Sequence, residues 1–216
     1  INLNYFPPAL AVPADADVTA TVYAALLGHH EIDEGPAVTV DIGAIFGANR
    51  HIDDVPLRFN PQWLNKNSGA YLTWFMDKGP DAPQFGNDVD LVVNANVLFA
   101  LARYGLADTP GFSETAVLIN DAVENDLHRS SWDDISLYYP DSYVFHYCVT
   151  RAYAKGPVPE LAASVARLAS EIIDDARRCP DGTAHWDKGH PRLNTAFAVL
   201  SLINAGSNSS LIDEGV

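Results

Sequence analysis

The stretch that decides the fold is residues 88–105, DVDLVVNANVLFALARYG. Two aspartates precede an apolar run of helical length, and Gly105 ends it, which is the usual order of N-cap, helix and C-cap. The apolar residues cover nearly the whole circumference of this helix, so it is predicted to be buried on most sides.

Three further stretches share this pattern, namely residues 15–28, 141–156 and 194–206. Their closing glycines and Gly105 stand at positions 28, 105, 156 and 206, so the successive intervals are 77, 51 and 50 residues. The last two intervals define a repeat of about 50 residues, and the first carries an insertion of about half a repeat. One helical unit is therefore predicted to recur along the chain.

Amphipathic helices lie between the buried ones. Residues 161–178 and 113–127 carry apolar side chains at three- and four-residue spacing, and residues 40–49 are a weaker example. The opposite face of residues 161–178, which includes Glu171, is charged and is predicted to face solvent. Buried helices that alternate with amphipathic ones predict an all-α fold of antiparallel α-hairpins in two concentric rings.

Length and charge limit the organisation and the partners. The chain has 216 residues, 48% hydrophobic and 19% charged, which is typical of one globular domain spanning residues 1–216. Its net charge of −15 argues against nucleic acid or an anionic membrane as a partner. No apolar run reaches the roughly 20 residues that span a bilayer. The sequence leaves open whether Cys148 and Cys179 pair, and it indicates no compartment.

A tight glycine turn followed by a tryptophan occurs twice. Residues 179–186 (CPDGTAHW) follow an amphipathic helix and precede a buried one, and residues 67–74 (NSGAYLTW) precede the second buried helix. In both turns the tryptophan, Trp186 or Trp74, is predicted to pack back on the helices.

These motifs resemble those of the terpenoid cyclases and protein prenyltransferases. Residues 180–186 (PDGTAHW) are similar to the QW repeat of that superfamily without its leading glutamine. Residues 13–20 (PADADVTA) resemble the DxDDTA motif of squalene-hopene-type class II cyclases, with Val18 in place of the last aspartate. The resemblance implies an α/α toroid. Because a closed toroid needs more hairpins than this chain's four buried helices provide, we expect an incomplete or open ring, continued by further chain or completed by a partner subunit.

The resemblance also implies a catalytic role for Asp17. By analogy, Asp17 protonates an isoprenoid in an apolar cavity, and Asp15 helps to hold the proton by making double ionisation costly. The position of the two aspartates alone favours helix capping, worth about 0.5–2 kcal/mol. From the resemblance we expect a class II terpene-cyclase-like isomerase. The alternative is a noncatalytic toroid that binds a partner subunit or a lipid-like or glycan ligand.

A second DxD pair, Asp88 and Asp90, precedes the second buried helix, with Asn94 on the same helical face as Asp90. One interpretation is that these three residues line the cavity and bind substrate. The other is that the pair caps its helix, and two copies at matching repeat positions favour capping for both.

Aromatic residues are predicted on the inner surface. Such rings stabilise carbocations in the resembled superfamily through cation–π contacts of roughly 0.5–2 kcal/mol each, although each ring alone is also explained as hydrophobic core. Tyr138, Tyr139 and Tyr143 are expected at the cavity rim. The expected substrate-binding rings are Tyr23, Phe99, Tyr143 and Tyr147, with Phe145 and Phe197 beside them.

No metal site and no cofactor are predicted. Metal-binding motifs such as Cys-x-x-Cys and His-Glu-x-x-His are missing, and so are phosphate-binding and serine-nucleophile loops. His146 and Cys148 lie about 200° apart on a helix and cannot chelate one ion together. The remaining candidate ligands are isolated or lie in one loop: His29, His30, His185, Asp187 and His190.

Overall fold

The computed structural model describes residues 14–28, 41–52, 57, 64, 67–75, 87–186 and 190–215. These residues confirm the all-α prediction, because the only sheet among them is an antiparallel pair of two-residue strands, β1 (Arg177–Arg178) and β2 (Ala184–His185). The α-helices are α1 (Ala16–Gly28), α2 (Ile42–Ala48), α3 (Leu91–Arg103), α4 (Phe112–Glu124), α5 (Leu127–Ser130), α6 (Trp132–Ile135), α7 (Tyr143–Lys155), α8 (Ala162–Asp175), α9 (Pro191–Asn204) and α10 (Leu211–Glu214).

Four helices form an inner row in the order α1, α3, α7, α9, each packed against the next. Helices α4 and α8 pack on the outside of α3 and α7 and against each other. The first two inner helices are parallel, because Asp17 near the start of α1 meets Asn96 in the first half of α3, and the Tyr104 hydroxyl beyond α3 donates to the Tyr23 carbonyl of α1 at 2.8 Å. Helices α1 and α3 thus run in the same direction.

The 50-residue repeat appears as a contact between neighbouring inner helices. The rings of Tyr147 on α7 and Phe197 on α9, one repeat apart in sequence, stack with centroids 5.3 Å apart. The predicted glycine turn before α9 is also confirmed, since Gly182 has a positive φ of 89°. Trp186 beyond it is fully buried, and its indole nitrogen donates to the Ile172 carbonyl at 2.8 Å.

Burial differs from the prediction at the two ends of the row. Helix α3 is buried over most of its length, but α9 leaves Leu193, Leu200 and Ile203 between 43% and 48% exposed. On α1, Val18 and Val22 are exposed in the same way. Among the described residues, the apolar side chains of an inner helix are therefore buried most completely where that helix packs between two others.

Two details of the outer layer differ from the sequence analysis. The short helices α5 and α6 were not predicted, and the 3₁₀ turn Pro159–Leu161 precedes α8. Glu171 on α8 does not face solvent freely, since its side chain is only 14% exposed.

Cys148 and Cys179 are both free. Within the described residues, no helix is long and apolar enough to cross a bilayer.

Candidate functional site

The two DxD pairs do not occupy the same register. An oxygen of Asp15 accepts the Val18 main-chain N–H at 2.6 Å, one position before α1 begins. In the second pair it is Asp90 that caps α3, accepting from the Val92 and Val93 N–H groups at 2.8 and 3.1 Å. The capping interpretation is confirmed for one aspartate of each pair, whereas the predicted equivalence of the pairs is wrong.

Asp90 lies in the protein interior. Besides the two cap bonds, its second oxygen accepts the Ser136 hydroxyl at 2.7 Å and the Leu137 N–H at 2.9 Å. Burial raises the pKa of Asp90 to about 6, although all four hydrogen bonds oppose that shift. The carboxylate thus joins the start of α3 to the segment before α7.

Asp88 and Asn94 are equally inaccessible. One oxygen of Asp88 accepts the Tyr138 hydroxyl at 2.5 Å, and the other has no hydrogen-bond partner among the described residues. The Asn94 amide holds the main chain of Tyr71, accepting from its N–H and donating to its carbonyl, both at 2.9 Å. Because Asp88, Asp90 and Asn94 have no exposed surface, the structure gives them interior positions and not a cavity lining.

Asp17, in contrast, is partly exposed. It belongs to a hydrogen-bonded chain of four polar side chains, in the order Tyr139, Asp17, Asn96 and Arg151. One carboxylate oxygen accepts the Tyr139 hydroxyl, and the other accepts the Asn96 amide at 2.5 Å. The Asn96 carbonyl in turn accepts a guanidinium N–H of Arg151 at 2.5 Å. Both oxygens of Asp17 thus have hydrogen-bond partners, and proton donation by Asp17 stays a prediction.

Arg151 lies among the aromatic rings of the inner surface. Its guanidinium carbon is 4.5 Å from the centroid of Phe99 and 5.2 Å from that of Tyr147. Among the described residues no carboxylate lies within ion-pair distance of it, and its Nε is buried without a hydrogen-bond partner. Arg151 was absent from the sequence analysis, where its only signal was a basic residue inside an otherwise apolar helix.

The other predicted rings are divided between surface and core. Tyr138 is 44% exposed and Tyr139 is partly exposed, as expected for a rim. The rim position predicted for Tyr143 is wrong, because its ring is buried against His146, at 5.4 Å between centroids, and its hydroxyl donates to Asp175. Tyr23 packs edge-on against Tyr104 at 6.2 Å. Substrate binding by these rings stays a prediction.

A second cluster of polar residues joins α5, α7 and α8. Nε2 of His128 is 2.6 Å from Oε2 of Glu171, and Nε2 of His146 is 3.7 Å from the same oxygen. One nitrogen or oxygen from each of the three side chains lies within 4.8 Å of the other two. Both histidines are buried. No sequence motif marks this set, because its members come from three separate helices.

Two arginines surround this cluster. Nε of Arg167 donates to Oε1 of Glu171 at 2.9 Å, while Nη1 of Arg129 lies 3.9 Å from Oε2. Burial disfavours the charged form of Glu171, but the donors on His128, His146 and Arg167 outweigh it and lower the pKa of this carboxyl. Glu171 is therefore held as a carboxylate.

Among the metal candidates that the structure describes, no two share a cluster. His146 joins His128 and Glu171, which were not candidates, while His185 lies beside Cys179 with Nδ1 and Sγ 3.4 Å apart. Cys148 is enclosed in the core, where burial raises the pKa of its thiol to about 12. His29, His30, Asp187 and the start of the DxDDTA-like motif at Pro13 lie outside the described residues.

Comparison of the chain with protein-family models, with curated proteins and with solved structures found no match.

Proposed function

We propose that the protein is a ligand-binding α/α-toroid-like domain whose inner helices form a concave surface for an amphipathic small molecule carrying an oxyanion. The sequential packing of α1, α3, α7 and α9, with α4 and α8 packed against α3 and α7, supports this proposal, because part of such a ring would have these contacts. This is the noncatalytic alternative from the sequence, with the chemistry of the ligand made more specific.

The observation that carries the proposal is the guanidinium of Arg151, which has no carboxylate partner within the part of the chain that the structure describes. A cation that is partly removed from water and lacks a carboxylate partner favours a bound anion, because a charge-assisted hydrogen bond then replaces lost hydration. Asp17 balances it only at a distance, through the Asn96 amide. The planar guanidinium suits the paired oxygens of a carboxylate or a phosphate.

The rings beside Arg151 supply the apolar part of the site. Phe99, Tyr147 and Phe197 are each partly exposed, and the last two are stacked. Phe99 and Tyr147 already contact the guanidinium, so a carbocation in this place would meet a fixed positive charge. An alkyl or isoprenoid chain with a terminal oxyanion satisfies both features.

Calorimetric titration with dodecanoate, dodecyl phosphate and dodecanol tests this proposal on the intact chain. We expect binding of at least one of the two anions, and Arg151→Gln should weaken it at least tenfold, as loss of a hydrogen bond between charged groups implies. The same substitution should leave dodecanol binding within about twofold. Preference for the carboxylate or the phosphate then identifies the headgroup.

The matched control is Arg103→Gln, which removes an exposed arginine at the end of α3 and leaves the inner surface intact. Equal losses of anion affinity in the two variants would show nonspecific charge attraction and contradict the proposal. Failure of both anions to bind the wild-type chain would contradict it as well.

A second candidate, the class II terpene-cyclase-like isomerase, is favoured by one observation. Asp17 is a partly exposed carboxyl group, within hydrogen-bond reach of Tyr139 and close to the aromatic surface. If it is the proton donor, incubation with squalene or a prenyl substrate gives cyclised products that Asp17→Asn abolishes while the stability of the fold is retained. Absence of cyclised product with the wild-type chain would exclude this function for the substrates tried.

A further inference from the structure

We propose that His128, His146 and Glu171 form a binding site for one divalent transition-metal ion of the Zn²⁺ class. The site lies between α5, α7 and α8, on the side of α7 away from the Arg151 surface, and does not depend on the proposed ligand. Two imidazoles and one carboxylate are a common protein ligand set for Zn²⁺, and they leave a position open for water or another ligand.

The first argument concerns the proton positions on His146. Nδ1 of this ring is 2.7 Å from the Ser142 carbonyl oxygen, which can only accept, so Nδ1 carries the hydrogen. In the neutral ring Nε2 is then a bare lone pair, and it faces another acceptor, Oε2 of Glu171, at 3.7 Å. Two facing acceptors need a cation between them, either a proton or a metal ion. A backbone carbonyl that orients the far nitrogen is also the usual support of a metal-binding histidine.

The second argument is the charge balance. Arg129 pairs with Asp175 at 3.1 Å, and Arg167 pairs with Asp126 at 3.0 Å as well as contacting Glu171. Among the described residues, three carboxylates thus accompany two guanidinium groups around the cluster, a setting that is compatible with an added cation.

The geometry needs only a small adjustment to hold a metal ion. Ligands at the usual Zn–N and Zn–O distances of about 2.0–2.2 Å stand roughly 3–3.6 Å apart in a tetrahedral site. The contact of 3.7 Å is already near this range, and the 2.6 Å contact between His128 and Glu171 must open slightly. Nδ1 of His128 lacks a hydrogen-bond partner whether its ring binds a proton or a metal at Nε2, so that atom does not distinguish the two states.

The test is Zn²⁺ and Co²⁺ binding to the metal-free chain carrying Cys179→Ser, which removes the thiol–imidazole pair with His185. We expect the background protein to bind one ion at the cluster. Glu171→Gln and His146→Gln should each weaken this binding at least tenfold. Bound Co²⁺ should give the visible absorption of a low-coordinate nitrogen–oxygen site. Zn²⁺ should raise the melting temperature of the background protein and not of the two variants.

The matched control is His190→Gln, which removes an exposed imidazole at the start of α9 and should change neither the Co²⁺ spectrum nor the thermal shift. Unchanged Zn²⁺ affinity in Glu171→Gln would place any binding elsewhere and overturn the proposal. The absence of Zn²⁺ binding at micromolar concentration would overturn it too, and would identify the cation between His146 and Glu171 as a proton. Because Zn²⁺ binding is also measured on the background protein, that result can contradict the proposal even if a variant misfolds.

Discussion

Asp90 and Glu171 are both enclosed carboxylates with several donors around them, and yet their pKa values move in opposite directions. All the donors to Asp90 are neutral, namely three main-chain N–H groups and the Ser136 hydroxyl, and burial raises its pKa to about 6. Glu171 is contacted by Arg167 and two imidazoles, and its pKa is lowered in spite of burial. Neutral hydrogen bonds position a buried carboxylate, whereas cationic partners also keep it charged.

The difference separates a structural carboxylate from a candidate ligand. Asp90 has all its acceptor positions directed at its own fold, so nothing remains for an external molecule. Glu171 shares one oxygen between two imidazoles, with Nε2 of His128 at 2.6 Å and Nε2 of His146 at 3.7 Å. The proposed metal site depends on this second, longer contact.

The largest effect in this comparison should come from Asp90→Ala. The substitution leaves the start of α3 uncapped and the Leu137 N–H and Ser136 hydroxyl without their acceptor, so we expect a loss of about 3 kcal/mol in the free energy of unfolding at pH 7. Because the folded-state pKa of Asp90 is raised, its contribution to stability is greatest below its ordinary pKa of 3.8 and decreases as the pH rises through about 6. Urea unfolding should thus show a larger loss at pH 4 than at pH 7; an equal or smaller loss at pH 4 would contradict the raised value.

A smaller effect, with the opposite pH dependence, is expected for Glu171→Gln. The substitution breaks the contacts with His128 and Arg167, and we expect a loss of about 2 kcal/mol at pH 7, less than for a fully buried pair. Because the folded-state pKa of Glu171 is depressed, its contribution is present above its ordinary pKa of 4.5 and is lost as the pH falls below it. The wild-type and variant stabilities should converge in acid, as measured by urea unfolding in metal-free buffer. A difference that stays constant down to pH 3 would show that packing, and not charge, is responsible.

The smallest effect concerns the first DxD pair. Asp15→Ala removes a single cap bond at the start of α1 and should cost about 1 kcal/mol. The Asp90→Ala loss measured under the same conditions is the reference for this comparison. If Asp15→Ala proved as destabilising as Asp90→Ala, the two caps would be equivalent and the difference in register would have no energetic meaning.

The sequence predicted the helices well because their signals are local. Each buried helix from its polar start to its closing glycine lies within a few residues of the observed α1, α3, α7 and α9. The order of apolar and amphipathic helices also gave the two layers, and the glycine turn correctly placed Trp186. The sequence did not distinguish Asp88 from Asp90 as the cap, since both stand where a cap is expected, and the structure shows that Asp90 caps α3.

The candidate sites could not be predicted in the same way, because they depend on distances across the fold. His128 and Glu171 are 43 positions apart, and they meet because His128 lies on the short helix α5, which was not predicted. Arg151 reaches Asn96 across 55 positions. The charged face of residues 161–178 is exposed at Asp174 and Arg178, as predicted. Glu171 is largely covered, because His128 and His146 contact it from α5 and α7.

Each inner helix packs chiefly against the next. The free energy of local unfolding should therefore differ along the row. In such a linear array, stability is close to a sum of contributions from adjacent units, so the terminal units lose fewest contacts when they detach. Amide hydrogens in the middle of α3 and α7, each of which packs against two neighbours in the row, should accordingly exchange last. A ligand or ion that contacts two neighbouring units should therefore make them unfold together.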